Sequence, residues 1–173
     1  MNNNILKHTI ALITMIVLAS SSTFAQTGTI QWLQLADDAP DKIPGRNGSA
    51  PTFEEVGIPV YPGSYLTSVY PVSASSEPDS NETPLPTIIL VTSDEQEKVK
   101  KFYQERLKES DGWYSSEEYS VFVKGELSDA LSRTVPGVAI REETGESYDL
   151  SGADPKIKAS LKTRIKILYE LKK

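Results

Sequence analysis

The sequence predicts an α+β fold, a mainly antiparallel sheet with one principal helix packed on one face. Three observations carry that prediction. Stretches of strand length with apolar, β-favouring residues recur at 65–72, 87–92, 118–124, 136–142 and 162–171. One segment, 93–112, carries its apolar residues at helical spacing instead. The strand-like stretches late in the chain adjoin one another without alternating helices, which favours antiparallel neighbours over crossover connections.

Taken in order, residues 1–25 have the layout of a cleavable secretory signal. Met1–His8 is polar and carries Lys7, Thr9–Ala19 is apolar, and Ser20–Ala25 is small and polar, ending Thr23-Phe24-Ala25. The apolar run is about half of the ~20 residues a spanning helix needs. The expected destination is therefore the periplasm or the exterior, with no membrane span after cleavage. The chain contains no cysteine, so it offers no thiol for lipid anchoring and no disulfide, although that compartment permits disulfides. Its stability then rests on an ordinary core. Residues 26–50 read as an N-terminal arm or linker. An apolar cluster (Ile30, Trp32, Leu33, Leu35) precedes acid-, Pro- and Gly-rich sequence that holds neither helix nor strand. The arm is either a strap that tucks Trp32 onto the domain or a segment that binds a partner. Residues 51–173 form the single α+β domain, and no internal repeat is visible.

Within the domain, Thr52–Val56 predicts one helical turn closed by Gly57, and Pro62-Gly63 suits the centre of a type II turn. Tyr65–Val72 reads as a strand and Ser73–Pro84 as a polar surface loop. Thr87–Thr92 is apolar on both faces, the mark of a central strand. Ser93 and Gln96 have capping-box spacing, and Asp94 and Glu95 complement the positive end of a helix. Val99, Phe102, Tyr103 and Leu107 then form one stripe, with Glu97 and Lys101 as a supporting pair. Gly112 is read as the stop, with Trp113 folding back. Glu118–Lys124 alternates, 125–135 suggests a short helix through Leu127 and Leu131, and Pro136–Glu142 is strand-like. Thr144–Pro155 is turn-rich. In Lys162–Leu171, Ile165, Ile167, Tyr169 and Leu171 alternate with Arg164, Lys166, Leu168 and Glu170, a strand with one buried side.

The run Ile58-Pro59-Val60-Tyr61-Pro62-Gly63-Ser64, then Thr92-Ser93-Asp94, Phe102-Tyr103 and Gly112-Trp113, resembles a pattern in exported bacterial proteins of unknown function. There a Pro-x-Tyr-Pro-Gly segment leads to a strand, and a helix with a Phe-Tyr pair ends at Gly-Trp. The similarity covers roughly residues 56–171. It implies a helix-on-sheet domain and no catalytic residues.

The chemistry is bounded by what is missing. The one histidine, His8, lies in the expected signal. Cleavage removes histidine from triads, general acid–base steps and zinc sites. No glycine-rich phosphate loop occurs. Carboxylate catalysis needs two acids flanking one bond, about 5–10 Å apart. Glu117/Glu118 and Glu142/Glu143 are the pairs to consider, but strand neighbours point to opposite faces. Asp79, Asn81, Glu82, Asp149 and Asp154 lack calcium-loop spacing. Asn47-Gly48-Ser49 and Asn81-Glu82-Thr83 match the glycan acceptor pattern, which matters only where the source adds such sugars. No metal and no cofactor is expected.

The chain is acidic overall, at −6, yet Lys156, Lys158, Lys162, Arg164, Lys166, Lys172 and Lys173 gather at its end. An acidic body argues against nucleic acid. The basic residues either blunt an edge strand against aggregation or meet an anionic surface. The expectation is a secreted or periplasmic, non-catalytic binding or scaffold domain that takes an unidentified protein or cell-envelope component. A small carboxylate-dependent hydrolase and a polyanion binder are the alternatives. Trp32, Tyr61 and Tyr65 are the candidate apolar contacts, and Lys162, Arg164 and Lys166 the candidate anion contacts.

Overall fold

The computed structural model describes residues 27–37, 39, 45–46, 48–71, 84–126, 128 and 132–171. The expected signal with His8, the loop at 73–83, the helix through Leu127 and Leu131, and Asn47 and Asn81 lie outside the described residues. Six strands build one sheet: β1 (Tyr65–Tyr70), β2 (Thr87–Thr92), β3 (Trp113–Ser116), β4 (Val121–Lys124), β5 (Gly137–Glu142) and β6 (Thr163–Leu168). They lie in the order β1-β2-β6-β5-β4-β3, and every neighbouring pair is antiparallel. The described α-helices are α1 (Phe53–Val56), α2 (Gln96–Arg106) and α3 (Pro155–Lys158), with 3-10 turns at Glu109–Asp111 and Tyr148–Leu150. The fold is α+β and mostly sheet.

Alternation along each strand divides the sheet into two faces. Ile88 and Leu90 of β2, Ile165 and Ile167 of β6, Val138 and Ile140 of β5, and Phe122 of β4 share the main core with Val99 and Tyr103 of α2. Ile89 and Val91 face the other way, where Val91 meets Leu33, Leu150, Ala153 and Leu161 in a second cluster. Both faces of β2 are therefore covered, and all six of its residues are buried.

The final basic strand is not at an edge, contrary to expectation. β6 sits between β2 and β5, bonded on both sides. Its side-chain alternation is as read through Tyr169. Leu168, however, is buried among the expected polar row, and Leu171 is exposed in the expected apolar one. The strand ends at Leu168, so the alternation no longer binds Leu171 to the sheet.

Helix α2 starts later and stops earlier than its sequence suggested. Its N-cap is Glu95, with no side-chain capping bond. The Ser93 box does not form because Gln96 reaches across to the Ile140 carbonyl, 3.2 Å away. Asp94 meanwhile accepts from the Tyr61 hydroxyl and from Lys98. Glu97 pairs with Lys100 rather than Lys101. Leu107 is already extended, and Gly112, at φ 79°, closes the 3-10 turn instead of the helix. The capping box that does form is at α1. There Thr52 Oγ1 accepts from Glu55 N–H and the Glu55 carboxylate takes the Thr52 N–H, with Gly57 closing the turn as expected.

Residues 117–120 are the turn of a β3–β4 hairpin, so the alternating stretch becomes strand only at Val121. Strand β3 itself is not distinguished in the sequence from a helix terminus. At the opposite edge, β1 is covered by the N-terminal segment. Leu66 N–H donates to the Gln31 carbonyl at 2.7 Å, Leu33 N–H to the Leu66 carbonyl at 2.8 Å, and Val69 N–H to the Gly45 carbonyl at 2.7 Å. Gly45 has φ +78°, and a Cβ there would stand 2.6 Å from the Ser68 side chain. Only a glycine backbone lies this close to β1.

Candidate functional site

The sheet face opposite α2 has a covered part and an open part. Over β4, β5 and β6 it is hollow, and the cause is local. β5 presents Gly137, Ala139 and Arg141 to this face, because Val138 and Ile140 serve the core. Ala139 is paired with Val121 on one side and Lys166 on the other. A methyl group between longer side chains leaves a trough of about 410 Å³, with Val121, Ala139 and Leu168 as its floor. Arg141, Arg164, Lys166 and Arg133 form its walls, together with Ser132.

Register places these charges close together. Arg141 stands directly opposite Arg164 across the β5–β6 ladder. Lys166 lies two residues further along β6, on the same face. Arg133 arrives from the segment before β5, where its carbonyl accepts the Leu85 N–H at 2.8 Å. One of the four cations has an acid partner. Arg164 pairs with Asp149, which is 6% exposed. Asp149 Oδ1 also accepts from the Ser68 hydroxyl at 2.8 Å and the Tyr70 hydroxyl at 2.7 Å. A bulge in β1 makes this possible. The register against β2 shifts between Leu66 and Ser68, which turns Ser68 and Tyr70 away from the core face and toward Asp149. Burial and the Asp149 carboxylate both push the Tyr70 phenol above its ordinary range.

The other three cations have no carboxylate within salt-bridge distance among the described residues. Arg141 donates to the Tyr119 carbonyl, a neutral acceptor. Arg164 Nε is buried and unpartnered. Lys166 is half-buried. Burial chiefly, and then the Arg133 and Arg164 guanidinium groups, hold its ammonium below the usual lysine range.

The six residues singled out from sequence separate. Arg164 and Lys166 line the trough. Lys162 does not; it reaches Glu95 ahead of α2. Trp32 is half-buried against the main core, with the Arg46 guanidinium 4.7 Å from its ring centre. Tyr61 is buried, with its ring edge against Phe102 and its hydroxyl 2.8 Å from Asp94. Burial and Asp94 push that phenol up to about 12. Tyr65 is exposed. The three aromatics thus differ in burial and do not present one exposed surface.

The acid pairs are likewise apart in role. The Glu143 carboxylate accepts from Gly145 N–H and Ser147 Oγ, each at 2.8 Å, and ties a turn. Glu142 is exposed on β5, and Glu117 and Glu118 lie in the hairpin turn. Asp154 caps α3. Among the described residues no cluster of three His, Cys, Asp or Glu stands at metal-binding geometry. Arg133 and Arg141 carry no motif. The signal that could have found Arg141 is its two-residue spacing from Ala139 in a strand whose intervening residues are Val138 and Ile140. Comparisons with protein-family models, curated proteins and solved structures give no match.

Proposed function

We propose that this is an exported, non-catalytic binding domain whose ligand is an anion received in the basic trough. In this reading the sheet is the platform, α2 is the principal helix supporting it from behind, and the partner is a component of the cell envelope or exterior. The observation that carries it is Lys166, a half-buried ammonium with guanidinium neighbours and no carboxylate partner among the described residues. Unpaired charge is seldom buried without a counter-ion. The trough offers donors and positive charge but, among the described residues, no acid pair to share a bond-breaking step, which supports binding over hydrolysis. Lys162, tied to Glu95, falls outside the contact set.

The test is a titration of isotope-labelled protein with sulfate and then citrate at low ionic strength. The expected result is saturable movement of the Ala139, Val121 and Lys166 amide signals. It should be suppressed near 1 M NaCl, where the screening length falls to ~3 Å. Lys166→Gln with Arg133→Gln should abolish it, and Lys162→Gln should leave it unchanged. Absence of saturable movement at the trough, or its survival in the double variant, overturns the assignment.

A further inference from the structure

The trough is compact and has a carbon floor, and both features narrow the ligand. Resting on the anion-binding reading, we propose that it takes a phosphate monoester of a small apolar alcohol or phenol. The dianionic head sits between Lys166 and Arg133, and the carbon body lies on Val121, Ala139 and Leu168.

Charge number comes first. Among the described residues Asp149 balances Arg164, which leaves Arg133, Arg141 and Lys166. A monoanion leaves two positive charges facing each other across the trough, whereas a dianion leaves one. A phosphate monoester carries a charge of about −1.5 to −2 at neutral pH and presents three strong acceptor oxygens. It can meet the Lys166 ammonium and a guanidinium fork together, and charge-assisted bonds of that kind are the strong ones.

Size comes second. The volume of about 410 Å³ falls within the range typical of small-molecule sites, roughly 300–1,000 Å³. The basic residues form a closed group on two strands and one preceding segment, not a track along the molecule. A long polyanion leaving this patch would meet an acidic protein, −6 overall. The floor is the third argument. Of the floor, Val121 and Leu168 are buried and the Ala139 methyl is partly exposed between them; inorganic phosphate would leave that methyl uncovered, while an attached carbon body covers it.

Phenyl phosphate and phenyl sulfate test the idea, since they match in shape and differ by one charge. At pH 8 the whole protein is titrated by calorimetry with each, with inorganic phosphate, and with dextran sulfate. Phenyl phosphate should bind roughly tenfold or more tightly than phenyl sulfate, the scale of one added charge-assisted contact. It should also bind more tightly than inorganic phosphate. Its advantage over the sulfate should shrink toward pH 5, below the second phosphate pKa of about 6. Lys166→Gln and Arg133→Gln should each cost about tenfold for phenyl phosphate, and circular dichroism reports whether either variant has lost its fold. Ala139→Leu, which fills the floor, should lower phenyl phosphate affinity more than that of inorganic phosphate. Equal binding of the two phenyl esters overturns the dianion assignment. Dextran sulfate binding through Lys166 without phenyl phosphate binding overturns this inference and leaves the anion-binding reading standing. No binding by any of the four overturns both.

Discussion

Asp149 is where the trough meets the stability of the fold, and replacing it with asparagine is a sharp perturbation. The carboxylate accepts from Ser68, Tyr70 and Arg164 at a site only 6% exposed. An asparagine oxygen can keep both hydroxyl bonds, but its amide group then points a donor at the guanidinium. The lost charge-assisted bond is worth roughly 1.5–3 kcal/mol. Orphaning one partner of a fully buried pair costs about 3–5 kcal/mol. The Arg164 side chain is 35% exposed, so water can rescue part of its charge. The expected cost of Asp149→Asn is therefore about 2–3 kcal/mol. Asp149→Ala also orphans the fully buried Ser68 hydroxyl, a further cost of ~1 kcal/mol. Urea unfolding reads this directly: with a slope of about 1–3 kcal/mol/M, the midpoint should fall by roughly 1–2 M. A double-mutant cycle with Arg164→Met should return a coupling of about 1–2 kcal/mol. A loss below about 0.5 kcal/mol for Asp149→Asn, with no coupling to Arg164, would refute the claim that this carboxylate anchors the guanidinium.

Three other outcomes follow from the same interactions. The Tyr103 hydroxyl is fully buried with no hydrogen bond of good geometry, the Tyr61 backbone N–H being its neighbouring donor, so Tyr103→Phe should change stability by less than ~1 kcal/mol; a larger loss in thermal unfolding would mean the Tyr61 contact is a full hydrogen bond. Burial first, then Arg133 and Arg164, lower the Lys166 pKa, so the unfolded chain binds more protons as pH climbs from the folded value toward the ordinary 10.5. The penalty is full at neutral pH and fades through that window: Lys166→Met should be the more stable protein at pH 7, and its advantage should close by about pH 11. Ile165 is completely buried at the centre of the sheet, and Ile165→Ala should cost about 2–5 kcal/mol in chemical denaturation; a cost under 1 kcal/mol would place it outside a packed core.

Which features were legible in the sequence depends on what a side-chain pattern encodes. Alternation in 162–171 gave the buried face of β6 correctly through Tyr169, because period two fixes which residues share a face. It could not give the number of neighbours, since backbone groups do the pairing and leave no side-chain signature. That is why a central strand read as an edge. β2 was legible as central because both its faces need cover, from α2 on one side and Leu150 on the other. The capping box at Ser93 was a local signal overridden by tertiary demands, as Gln96 bonds Ile140 and Asp94 bonds Tyr61. The trough was half legible. Arg164 and Lys166 stood out in a basic run, while Arg133 and Arg141 join them only through register, and Asp149 only through a bulge that no composition announces.

A solubilising role would explain Arg133 and Arg141, which are exposed as Lys98 and Lys156 are. Arg164 and Lys166 are arranged otherwise, each only partly exposed. Arg141 and Arg164 are directly opposed across two central strands, where like charges cost roughly 0.2–1 kcal/mol. Lys166 adds a half-buried ammonium to the same patch. Uncharged polar residues at these positions would be equally soluble and free of that repulsion. The compensation the fold supplies is Asp149 for one cation and a neutral carbonyl of Tyr119 for another. Burial of Asp149 among three donors also commits it, so it cannot turn to Lys166 when the trough is empty. Among the described residues Arg133 and Lys166 are left without a compensating carboxylate, and this is the charge the proposed anion would meet. Because the repulsion among the cations is already present in the free protein, an anion bound there would be favoured by its relief, less the cost of desolvating the charges.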